Sequence, residues 1–207
     1  MSDFPAVPVS VIETRLVHDS HRRASVLLAE AAARSSVPPA AVAALRDFLV
    51  ANVRHHHESE DEVLWPMIGA VSPAHAVAMA ELTGEHKLLE TALDDLAAVD
   101  ISEGADRALY TCASAILRDL VHRHLDDEEP VLFPALRDYI TDDAWREFAL
   151  HVKTTSPTLN LHFMVGFVDL AGDAGEADLI LGGLPTEDLA ALRAQARDAF
   201  RELEATA

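Results

Sequence analysis

One pattern occurs twice in this chain, and that repeat restricts the fold more than any other feature. His56 to Pro66 reads HHESEDEVLWP, and His124 to Pro134 reads HLDDEEPVLFP. The template His-x-x-x-Glu-acid-x-Val-Leu-aromatic-Pro fits both without a gap. The two copies are 68 residues apart, and the same offset carries Glu60 onto Glu128, Pro66 onto Pro134 and His18 onto His86. His18 and His56 are separated by 38 residues, as are His86 and His124. The chain therefore reads as two copies of one helical hairpin. Each has a lone His on its first helix and His-x-x-x-Glu on its second.

Element signals agree with this. The first helix is expected from Ser10, where Ser10 and Glu13 form a capping box, to Ser35–Ser36, ahead of Pro38–Pro39. The second runs from about Ala40 to Leu64 and is expected to stop at Trp65–Pro66. Ser72–Pro73 starts the third, which lasts to about Val99. After a turn over 100–105, the fourth runs from about Asp106 to Glu129, with Pro130 and Pro134 disturbing its end. The midpoints of successive His pairs fall at residues 37, 71 and 105, each in or beside a turn. Antiparallel helices rise equally, about 1.5 Å per residue, so residues equidistant from a turn share a height. All four His then lie in one layer of an up-down-up-down bundle. No stretch alternates with period two long enough to argue a strand. The fold class is all-α: a bundle over residues 10–140, followed over 141–207 by a helical extension packed on it. In that extension GEADLILGGLP reads as a loop and Thr186 as the cap of a last helix.

The inward faces follow from helical periodicity. On the second helix, Leu45, Leu49, Val53, His56, Glu60 and Val63 share a side. On the fourth, Leu109, Cys112, Ile116, Leu120, His124, Glu128 and Val131 do. In the third, His86 is in phase with Met79, Leu82, Leu89, Leu93 and Leu96. His122 points the other way, His55 falls off the inward face, and His57 lies close enough to reach the centre. His21 maps onto Leu89 under the repeat, which argues against a ligand role, and His75 reads as an edge residue about three turns from His86.

Four imidazoles and two carboxylates converging in an apolar core create a conflict. Each unpaired buried carboxylate costs several kcal/mol. The only nearby cation is Arg22, one turn from His18. A bound metal resolves this, and two carboxylates can bridge two cations. No thiolates are available to the site, which argues against structural zinc or iron–sulfur. Imidazole with carboxylate suits iron or manganese, and also zinc or copper. We expect iron, because a ferrous pair with an open position can bind or reduce dioxygen. A ferritin-type site needs Glu-x-x-His on two helices, and no His in the chain has Glu three residues before it.

Charge narrows the partners. The formal net charge is −19, which repels nucleic acid and anionic membranes. No apolar run approaches the roughly 20 residues of a membrane span. MSDFPAVPVS lacks the basic residues and apolar core of a leader. Cys112, the only cysteine, is expected as a small buried hydrophobe, and a reducing cytoplasmic compartment is the expectation.

His18, HHESED with His56 and Glu60, GEHKLL with His86, and HLDDEE with His124 and Glu128 resemble the hemerythrin-like, or HHE cation-binding, domain. The resemblance spans about residues 10 to 140. It implies a four-helix bundle holding a non-haem di-iron centre, oxo- or hydroxo-bridged, with Glu60 and Glu128 bridging and dioxygen or peroxide as the small ligand. Oxygen-carrying hemerythrins place a second His one turn before the third-helix ligand, where this chain has Leu82. His57 or Glu90 would complete a different coordination sphere. The expected metal residues are thus His18, His56, Glu60, His86, His124 and Glu128, with His57 in addition. The expected role is oxygen, redox or iron sensing or handling. The alternative is a di-iron enzyme that decomposes peroxide or oxidises a small molecule with dioxygen.

Overall fold

The structure is a computed structural model, and it describes residues 7–205. The stretch read above for a leader therefore lies, over residues 1–6, outside the described residues. Four rods form the bundle: α1 (Val9–Ala33); α2 (Pro39–Ser59) continued by a π-helical turn (Glu60–Leu64) and α3 (Trp65–Val71); α4 (Pro73–Ala98); and α5 (Arg107–Tyr139). α1 packs on α2 and α5, and α4 packs on the same two, closing the ring. Beyond it lie α6 (Asp142–Thr155), α7 (Leu161–Ala171), α8 (Ala174–Leu181) and α9 (Thr186–Leu203). α7 packs on α1 and α9, and Phe163, Phe167 and Leu203 enter the same apolar core as Leu28, Leu45, Phe48 and Leu93. The described residues are helical with no strand, and no helix among them is long and apolar enough to cross a membrane.

Several boundaries differ from the expectations, each for a physical reason. The second rod does not end at Trp65–Pro66. Pro66 lacks an N–H and its ring would strike the carbonyl four residues back in an α-helix. The π turn relieves this: the Trp65 N–H bonds to the Glu60 carbonyl, and the rod continues to Val71. The fourth rod runs unbroken through Pro130 and Pro134 for 33 residues. Leu132, Ala135 and Leu136 beyond the prolines pack against Leu64, Trp65 and Ile68, and that burial outweighs the missing backbone bonds. Ser10 is not a cap. α1 starts one residue earlier on Pro8, Ser10 is buried, and the Glu13 carboxylate accepts from Trp145 Nε1 at 2.6 Å. GEADLILGGLP is only half a loop: Asp173 and Glu176 form a reciprocal capping box that starts α8, which takes in GEADLIL, and GGLP is the turn that follows. Thr186 lies inside α9, with Pro185 at the cap position.

The upper face of the fourth rod was also assigned to the wrong side. Leu109, Cys112 and Ile116 are exposed, whereas Tyr110, Ser114, Leu117 and Val121 are buried. A 3.6-residue period fits either apolar stripe, and the helix's rotation is settled by what it meets. Tyr110 and Leu117 join the core that also holds Leu45 and Leu93.

Candidate metal centre

The layer forms as the repeat requires. His18 comes from α1, His56 and His57 from α2, Glu60 from the π turn, His86 from α4, and His124 with Glu128 from α5. Six of the seven are buried, and the His56 side chain retains 13% exposure. Their donor atoms fall into two groups, each within 4.8 Å: His57, His86 and His124 in one, and His18, His56, Glu60 and Glu128 in the other.

The glutamates span both groups. Glu60 Oε1 faces His56 Nε2 at 3.2 Å, and its Oε2 faces His86 Nε2 at 3.7 Å. Glu128 Oε2 lies 3.3 Å from His124 Nε2 and 3.8 Å from His18 Nε2. Each carboxylate thus reaches one imidazole of each group, as a bridging ligand must. His57 stacks on His86 with ring centroids 4.2 Å apart and meets His124 edge-on at 5.2 Å. It belongs with His86 and His124, the group in which Leu82 leaves α4 with one imidazole rather than two. Glu90 takes no part: it pairs with Arg54 at 2.5 Å. His55 bonds Thr155, and His75 bonds Ser72, both away from the layer. His21 is buried beside His56, ring centroids 5.0 Å apart, in neither group.

Behind the imidazoles stands a set of acids. His18 Nδ1 contacts Glu129 Oε1 at 3.1 Å, His86 Nδ1 contacts Asp61 Oδ2 at 3.1 Å, and His124 Nδ1 contacts Glu85 Oε2 at 2.9 Å. A carboxylate on Nδ1 holds the proton there and leaves Nε2 as a lone-pair donor aimed inward. Glu129 is itself tied to Arg22 at 2.5 Å, and Asp61 accepts from Thr83 at 2.7 Å. None of these three acids is among the expected metal residues. A signal existed: Asp61 and Glu129 are equivalent under the 68-residue offset and directly follow the two glutamates.

Electrostatics show why such a cluster fits cations. Nε2 of His18, His56, His86 and His124, Nδ1 of His57 and all four carboxylate oxygens of Glu60 and Glu128 are buried without a hydrogen-bond partner. So many convergent lone pairs in a dry interior are costly unless something positive accepts them. Burial first, and then the neighbouring Glu128, hold Glu60 well above the usual carboxylate range. Burial pushes Glu128 the same way, but His18 and His124 outweigh it and leave that carboxyl lowered. The pair behaves as two carboxyls sharing one proton, with Glu60 keeping it. Burial, reinforced by neighbouring imidazoles, drives His56 and His57 well below their ordinary value, so both are neutral donors. The donor set, nitrogen and oxygen with no sulfur, fits a pair of divalent first-row cations.

The family model of the hemerythrin HHE cation binding domain matches residues 13–136. No curated protein and no solved structure matches the chain.

Proposed function

The chain belongs to the hemerythrin HHE cation-binding family, and from that premise we propose that it is a non-haem di-iron protein. In this reading His57, His86 and His124 would hold one iron, His18 and His56 would hold the other, and Glu60 and Glu128 would be shared between the two. The observation that carries it is the crossing of the two glutamates between two groups of buried, partnerless donors. A ferrous pair would supply one-electron steps and an open position for a small oxygen ligand.

The chain's own residues define what enters. The group holding His18 and His56 has two imidazoles against three in the other, so the open position belongs to it. His56, which retains some exposure, marks its solvent side. Two cavities of about 340 and 240 Å³ lie elsewhere and are lined by none of the seven residues. The layer suits a diatomic ligand rather than a bulky organic one. Loading requires Glu60 to give up its proton, while Glu129, Asp61 and Glu85 hold the protons of His18, His86 and His124 on the outer nitrogen. We propose dioxygen or peroxide as the ligand, in oxygen, redox or iron sensing or handling. The same closed layer admits peroxide as a substrate, so peroxide decomposition is the second reading.

Metal analysis with optical spectroscopy of anaerobically reduced, then oxygenated, protein tests this. Two irons per chain are expected, with a visible band that appears under dioxygen and fades on degassing. Rapid oxygen evolution from added peroxide would instead favour the enzyme. Iron uptake of zero in this layer would end the proposal.

A further inference from the structure

We propose that the groove between α1, α5, α7 and α9 binds a small monocarboxylate with a short apolar body. The groove has a volume of about 340 Å³, within the range of small-molecule sites. Its lining is ordered along α1. Arg22 and Arg23 come first, then Val26 and Leu27, then Glu30. The eight steps from Arg22 to Glu30 cover about 12 Å at 1.5 Å per residue. Phe167, Leu170 and Phe200 complete an apolar floor. Glu204 joins the acidic end, since Arg34, just past Glu30, bonds the adjacent Leu203 carbonyl at 2.9 Å. His122 lies at the cationic end, because α5 runs antiparallel to α1 and His122 is two residues from the shared layer.

Two features at the cationic end are unmet. Arg15, Arg22 and Arg34 each hold a carboxylate, but Arg23 has none within ion-pair distance among the described residues. Arg23 is exposed, so its guanidinium is open to a ligand that enters the groove from solvent. His122 Nε2 is buried with no hydrogen-bond partner, which is costly unless a ligand supplies one. A carboxylate satisfies both, accepting from the guanidinium and from the imidazole N–H. At the far end Glu30 is paired with Arg34 at 3.6 Å, and Glu204 opposes a second carboxylate there, so the site selects one charge and an apolar tail. Arg22 already grips Glu129, which contacts His18, so an occupant sits one ion pair from the layer. The binding proposal itself does not depend on the metal reading.

Calorimetric titration of the full chain with hexanoate, hexanedioate and hexan-1-ol tests it. Hexanoate is expected to saturate one site, with the other two weaker by about tenfold. Arg23→Gln and His122→Leu should each weaken hexanoate by about tenfold, with the thermal transition of Arg23→Gln unchanged. Equal binding of hexan-1-ol, the same hexanoate affinity in both variants, or no saturable hexanoate site would overturn the proposal.

Discussion

The two hairpins of the repeat make the same primary gesture and then diverge. His18, which contacts Glu129 of the second hairpin, corresponds to His86, which contacts Asp61 of the first, and His56 with Glu60 corresponds to His124 with Glu128. Adding 68 to His57, however, reaches Leu125, and subtracting it from Glu85 reaches Val17. His21 corresponds to Leu89, and Arg22 to Glu90. One group therefore gains an imidazole and an extra acid behind His124. The other keeps two imidazoles, a slightly exposed edge at His56 and a buried His21 beside it. The repeat supplies the symmetric frame of the proposed dinuclear site, and positions at which the two copies differ make its halves unequal. The backbone diverges too: the first copy winds into a π turn at Glu60–Leu64, whereas the second stays in one unbroken helix.

The largest expected effect comes from breaking what both halves share. Glu128→Ala removes one of the two proposed bridges and leaves five imidazoles with a single carboxylate, so iron content should fall from two per chain to below one. Retention of two irons would remove Glu128 from the ligand set. Next, His57→Leu makes the first hairpin match Leu125 of the second. It should empty the His86–His124 side selectively, leaving about one iron per chain by elemental analysis, with an unaltered far-ultraviolet circular dichroism spectrum. Two tightly held irons in this variant would mean that His57 only flanks the site.

A smaller effect sharpens the symmetry. Asp61→Asn and Glu129→Gln weaken the hold on equivalent imidazoles, and each should cost about 10–100-fold in metal affinity by chelator competition. The two losses should be similar. A loss confined to Glu129→Gln would point to Arg22 rather than to the imidazole contact.

The smallest effect concerns His21. Burial, then His18, lowers its pKa to about 3 from 6.5. The unfolded chain therefore binds a proton that the folded chain refuses between those values. Stability is full above pH 6.5 and declines as pH falls toward 3. His21→Leu, which copies Leu89, should make the metal-free protein relatively more stable below pH 6.5. The difference in Tm from wild type should widen on acidification and stay constant above neutrality. A pH-independent difference would show that His21 does not titrate in this window.

The repeat, the four-rod layer, the six shared donors and the approximate turns were readable from residue spacing alone. Helical rise and periodicity are local, and two matched copies cross-check each other. The rotation of α5 above the layer was not readable. Leu109, Cys112 and Ile116 make as good an apolar stripe as Tyr110, Leu117 and Val121, and only Tyr110 and Leu117 meeting the shared core separates them. Nor could local rules show that the rods continue past their prolines, because the burial of Ile68, Leu132 and Leu136 is contributed by distant segments.

For the site itself, sequence determined which side chains share a height, since that depends on counting residues along rods of constant rise. Tertiary structure decided which of them share a chamber. Whether His57 turns inward, whether Glu90 pairs with Arg54 instead, and which acids stand behind the imidazoles all depend on the azimuth of each helix about its axis. That angle is set by packing against neighbours, and no residue carries it alone.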